Sequence, residues 1–255
     1  MPQPTPQPTP VPLSSPDDDR GLPAHQVMDR EALAWIMRNR PEFPAVPYGS
    51  LSHRAEMLIP QRTWFAVPAL ADSIHGIQHN ARVSLLVSLL ADEHGLDYAR
   101  ATALSAAAAI HDCRRRDDRC DPGHGWRAAR WFRGHEAAVF DLLGQPVPPV
   151  EAIRGAAVAV ALHDLPHQEF TPAQNRIYQQ APAMVDLLKA ADALDRYRLP
   201  RNRWWPDLSR ARVTVPEWLP ALAFDLMLAS EQARLDGASP HEAIDHSLQL
   251  LAVER

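Results

Sequence analysis

Apolar residues recur at helical spacing along most of the chain, and glycine or proline punctuates the breaks. Leu33, Ile36 and Met37 mark a helix over Met28–Arg40 that Pro41 stops. Residues 41–74 are interrupted by proline and read as irregular, with Trp64 and Phe65 as anchors onto the core. Val83, Leu86, Val87 and Leu90 form one apolar face from His79 to about Glu93, where Gly95 ends the helix. Asp97 caps a helix running to Asp112 that is apolar nearly all round, the pattern of a central core helix. A further helix is expected over Trp126–Leu143, ended by Gly144, and Pro149 opens one through His163. Pro182 opens the helix that carries Met184, Leu187, Leu188, Ala191 and Leu194. Pro216 opens Glu217–Asp236, stopped by Gly237. Ser239-Pro240-His241-Glu242 is a capping box leading into Ala243–Ala252. With no run of period-2 alternation and no internal repeat, the fold class is all-α.

Composition changes this picture at the ends and on the surface. Residues 1–22 alternate proline with polar residues and cannot bury enough apolar area to offset the entropy of ordering, so a disordered tail is expected ahead of a single helical domain over 23–255, with C-terminal helices over 216–253. The net charge of −5 excludes a global basic field for nucleic acid. Two cysteines, Cys113 and Cys120, make neither a disulfide framework nor a zinc knuckle. No apolar run approaches the roughly 20 residues of a membrane helix, and no signal peptide is read, so the expected location is the cytoplasm. Lys189 is the sole lysine.

The chemistry lies where imidazoles and carboxylates meet helix ends. His79 begins one helix, His111-Asp112 end the next, His124 precedes a third, His163-Asp164 end a fourth and Asp192 lies on a fifth. One such histidine reads as a satisfied core residue; several together suit a borderline divalent cation.

This pattern resembles the HD-domain metal-dependent phosphohydrolase superfamily. The H…HD…D series falls on His79 in HGIQHNARV, His111-Asp112 in AAAAIHDCRRRDD and Asp192 in LLKAADALDRYR; DPGHGWRAA and AVALHD resemble the family's further histidine segments. Together these span roughly residues 70–200. The resemblance implies an HD-type helical bundle with a metal site in its core. His79, His111, Asp112 and Asp192 would ligate one divalent ion (Mn, Fe, Co, Ni or Zn, with Mg as an option). His124 and His163 would join them if two ions bind, with Asp112 bridging. His135 competes with His124 but ranks below it, since it is expected inside a helix. Asp164 or Asp195 would orient a ligand imidazole or receive a proton.

It implies attack by metal-bound hydroxide on a small phosphorylated substrate, a nucleotide or related phosphomonoester. Asp112, His124, Lys189 and Arg196 are the expected catalytic residues. Lys189 and Arg196, three before and four after Asp192, share its helix face and are expected on phosphate with Arg115 and His75. The other arginines, Arg114, Arg116 and Arg119, read mostly as solvated ion pairs, His167 as solvated or a cap, and Cys113 as a small buried hydrophobe. In residues 197–218, Trp204 and Trp205 read as packing anchors, with stacking on a substrate ring as the minority alternative. Two other functions stay open: a mixed-valence di-iron oxygenase using all six ligands, and a non-catalytic metal-containing sensor or binding module. The expected partner is a small phosphorylated molecule, without nucleic acid or membrane; a homodimer is open.

Overall fold

The computed structural model describes residues 27–46 and 57–253. The expected tail, residues 1–22, lies outside them, as do residues 47–56 of the proline-interrupted segment. Among the described residues the fold is all-α, without strands. Its helices are α1 (Arg30–Arg38), α2 (Ile77–Glu93), α3 (Tyr98–Ala108), α4 (His124–Phe132), α5 (Glu136–Leu142), α6 (Val150–Leu162), α7 (Pro172–Tyr178), α8 (Pro182–Leu194), α9 (Leu219–Leu235) and α10 (Pro240–Val253). None is long and apolar enough to cross a membrane.

Helices α2, α3, α6 and α8 pack on one another, with α4 against α6. Side chains cap some of the helix starts. Asp97 accepts from the Arg100 amide at 3.0 Å to cap α3, and Asp29 does the same for Ala32 at 2.8 Å to cap α1. In the core between them Leu86, Leu90, Leu104, Ile110 and Leu162 are completely enclosed, each contributing roughly 1.5–3 kcal/mol over an exposed position. A second apolar cluster joins α1, α9 and the turn after α8 through Trp35, Tyr197 and Phe224. Trp205 belongs to it, edge-on to Trp35 and Tyr197, with its indole N–H donated to Leu199 O at 2.7 Å, so it is an anchor.

Several expectations are corrected. The helix drawn to Asp112 stops at Ala108, and residues 109–114 are turns. The helix drawn over Trp126–Leu143 is two, broken at Arg133-Gly134-His135, where His135 Nδ1 turns back onto Trp131 O at 2.8 Å. His135 therefore sits at a junction, and its exposed ring stacks on Trp131. The helix drawn from Pro216 begins at Leu219, and α7 was not anticipated, although Thr171 and Gln174 form its capping box with Pro172 at the first turn.

A further one concerns α2, expected to show one apolar face. Every residue from Ile77 to Ala91 is buried, polar ones included. Most of its polar side is satisfied from within the protein, the exception being the Gln78 side-chain nitrogen, which is enclosed without a hydrogen-bond partner. Ser84 Oγ receives Leu58 N at 2.8 Å, Asn80 Nδ2 donates to Gly76 O at 2.8 Å, and Arg82 meets Asp195 and Glu231. A buried polar group without such partners costs about 1–3 kcal/mol, and a charge more.

Candidate metal centre

Gly76 precedes α2 because a Cβ there would lie 2.2 Å from Ala71 O; this close approach brings the loop ahead of α2, with His75, beside Asp112. His79, on the first turn of α2, places Nδ1 2.8 Å from Asp195 Oδ2. Asp195 also takes the Arg82 guanidinium, Nε to Oδ1 at 2.6 Å and Nη2 to Oδ2 at 3.0 Å. Arg82 extends the chain to Glu231 on α9 at 2.9 Å. The orienting role left open between Asp164 and Asp195 thus has a clear occupant for His79.

The turns after α3 aim His111 and Asp112 at the same point. His111 Nδ1 donates to Ala108 O at 2.6 Å, leaving Nε2 3.1 Å from His79 Nε2. Asp112 is held through its backbone amide, which donates to Asn80 Oδ1 at 3.1 Å. Asp192 Oδ1 closes this group at 3.4 Å from His79 Nε2 and 3.8 Å from His111 Nε2.

A second group faces the first across Asp112. His163 Nδ1 donates to Val160 O at 2.7 Å, and His124 Nδ1 to Asp121 O at 2.8 Å. Their Nε2 atoms lie 3.1 Å apart, and both point at Asp112 Oδ1, at 2.9 Å from His124 and 3.5 Å from His163. Gly125 makes this approach of α4 to α6 feasible: a Cβ there would stand 2.5 Å from Val160 O and 3.0 Å from His163 Nδ1.

The donor set fits a cation on two grounds. In each pair the Nδ1 hydrogen is committed elsewhere, so the Nε2 atoms face each other at 3.1 Å, an arrangement that a proton or a cation between them relieves. The enclosed Asp112 Oδ1 has no hydrogen-bond partner of good geometry, although His124 Nε2 lies 2.9 Å from it. His79, His111 and Asp192 form one group of donor atoms close enough to hold an ion; His111, Asp112 and His163 form another, and His75, His79 and Asp112 a third.

The electrostatics favour bare donors. Burial pushes the imidazoles of His111 and His75 down to about 3, so both are neutral at pH 7. Burial would raise the Asp112 carboxyl, but His124, His111 and Arg115 outweigh it and hold it well below the usual range. Burial likewise opposes ionisation of Asp192, and His79, His111 and Arg198 overcome it. His124 goes the other way: burial lowers it, Asp112 beside it more than restores it, and the result lies above the ordinary value.

The centre opens into a pocket of about 280 Å³ that reaches Asp112, His124, His163, Asp192 and His75. Arg115, Arg119, Arg196 and Arg198 also line it. Arg115 is buried, 3.6 Å from Asp112 Oδ1. Arg114 is spent on Trp64 O and the Trp131 face, Arg116 is exposed, and Arg119 lines the pocket beside Arg115. Trp204 is at the pocket wall. Cys113 is fully enclosed, and burial pushes its thiol far up, as suits an inert hydrophobe.

Lys189 is not among the residues lining this pocket. Its ammonium donates to His163 O at 2.7 Å and Leu165 O at 2.5 Å, so it fixes the backbone that carries His163. His167, expected to be solvated or a cap, is half-buried, with Nε2 2.8 Å from Asp186 Oδ1. Arg198 was missed. It is buried, donates to Ile74 O at 2.7 Å and Asp195 O at 3.0 Å, and places Nη2 3.2 Å from His75 Nδ1. Its spacing of three from Asp195 was the available signal. Comparison of the chain with family models, with curated proteins and with solved structures yields no match to any of them.

Proposed function

We propose that this protein is a metal-dependent phosphohydrolase of the HD type, releasing phosphate from a small phosphorylated molecule such as a nucleotide or related phosphomonoester. The observation that carries this reading is Asp112. Its two oxygens face separate imidazole groups, Oδ2 towards His75 and His79 and Oδ1 towards His124 and His163, beneath a pocket lined with arginines. His79, His111, Asp112 and Asp192 would hold one ion, and His124 and His163, with Asp112 shared, a second. Such an ion supplies Lewis acidity towards water and towards a phosphoryl oxygen.

The chain's own part is positioning and charge. Guanidinium forks on Arg115, Arg196 and Arg198 match phosphate oxygens and offset charge spreading onto them during transfer. Arg198 is fixed by two carbonyls and Arg115 by Asp117 O at 3.2 Å, so both are preorganised for an anion. His75, neutral and 2.9 Å from Asp112 Oδ2, can hold a proton against that carboxylate through Nδ1. The paired imidazole groups also favour a second reading, a di-iron oxygenase, which requires all six ligands.

The test is metal analysis of protein purified without chelator, followed by a phosphate-release screen over nucleotides and sugar phosphates with Mn, Co, Ni, Mg and Zn. Release that disappears in Asp112→Ala supports the hydrolase. About two irons per chain, O₂ consumption and no release point to the oxygenase; release undiminished in Asp112→Ala rejects the mechanism.

A further inference from the structure

A second cavity of about 390 Å³ adjoins the metal pocket, and Arg196 lines both. Its walls come from the end of α8, the residues after α6 and the segment 203–212. Lys189, Arg196, Arg203, Arg210 and Arg212 line it, against the carboxylates of Asp186 and Asp207. That is a concentrated positive field in a protein whose net charge is −5. The two carboxylates offset it only in part, since five cations face them. Asp186 is taken up by His167 Nε2 and Tyr178 Oη, both at 2.8 Å, and Asp207 by Arg210 at 2.9 Å. Arg212 spends one N–H on Tyr178 Oη at 3.5 Å, and a guanidinium has five.

We infer that this cavity is an anion subsite, and that the substrate of the adjoining pocket carries a second phosphate that sits in it. The identity of that substrate rests on the phosphohydrolase reading; the anion site does not. Arg196, between the two cavities, would bridge the two phosphates. A substrate anchored at both ends is oriented by binding energy remote from the reacting bond.

Two measurements separate these claims. Metal-free protein in chelator is titrated with inorganic pyrophosphate by calorimetry. We expect saturable binding, weakened at least about tenfold in Arg210→Gln/Arg212→Gln, since tenfold corresponds to about 1.4 kcal/mol and a charged hydrogen bond contributes about that much. Both residues are exposed and line only this cavity of the two, and an unchanged melting temperature checks the variant's fold. No saturable binding, or binding undiminished in the variant, overturns the subsite. With metal added, the KM for butane-1,4-diyl bisphosphate should fall below that for butyl phosphate, and the gap should close in the variant. Equal KM values in the unmodified protein overturn the second-phosphate claim. Absence of phosphate release from every ester overturns the hydrolase reading instead, and the pyrophosphate titration still decides the cavity.

Discussion

Asp195 and His79 are joined across 116 residues of sequence by one 2.8 Å contact, and it fixes which nitrogen of the imidazole faces Asp112. Asp195→Asn should rotate or re-tautomerise that ring and weaken metal binding by about 10–100-fold. It also strips the carboxylate from the buried Arg82, a loss of about 3–5 kcal/mol. A competition titration with a metal indicator and a thermal melt read the two effects separately. A folded variant with unaltered metal affinity would show that His79 is oriented by something else.

Removing metal should lower the melting temperature, because ligand bound only to the folded state at about a thousand times its Kd adds about 4 kcal/mol. Two equivalents are expected per chain. His124→Gln/His163→Gln should retain one, held by the His79 group, and its melt should still respond to chelator. A variant that keeps two equivalents would remove those histidines from the centre.

Gly125→Ala should force α4 away from α6, since the new methyl meets the Val160 carbonyl and the His163 ring. The cost expected for such overpacking is about 1–3 kcal/mol. The second metal equivalent should be lost with it. Equilibrium denaturation together with metal counting checks both. Full stability and full stoichiometry would mean that the two helices separate without consequence.

Lys189 links the fold to alkaline pH. Burial lowers its ammonium to about 8, against about 10.4 in an unfolded chain. Between those values the unfolded chain holds a proton that the folded chain has shed. Stability from this group therefore rises with pH across that window, and is flat below it. Lys189→Met should remove that rise. Melting temperatures of both proteins at pH 7, 8, 9 and 10 test it, and parallel profiles would reject it.

The helices were legible where the chain itself writes their ends: Gly95, Asp97, Gly144, Pro182 and Ser239 all punctuate as their chemistry requires. The ligand-type residues were legible because imidazoles and carboxylates at several helix ends are hard to explain singly, and the fold brings them together. What stayed hidden depends on partners far away in sequence. The burial of Arg82 makes sense only beside Asp195 and Glu231, and Arg198 only beside Ile74 and His75. Spacing along α8 put Lys189 on the face of Asp192, but the carbonyls after α6 lie closer to its ammonium than the pocket does. The break at Gly134 was misread because Trp126–Leu143 is apolar enough to pass for one helix.

The Arg82 to Glu231 contact spans 149 positions. During synthesis the chain emerges from its N-terminus, so α2 is complete long before α9 exists. Until α9 docks, the Arg82 guanidinium lacks one of its two acids, and the helix that supplies His79 has reason to keep that face in water. The centre should therefore lock late, after the surrounding helices have collapsed, and metal capture should lag behind the gain of helical signal in stopped-flow refolding. Simultaneous appearance of the two signals would mean that α2 settles without waiting for α9.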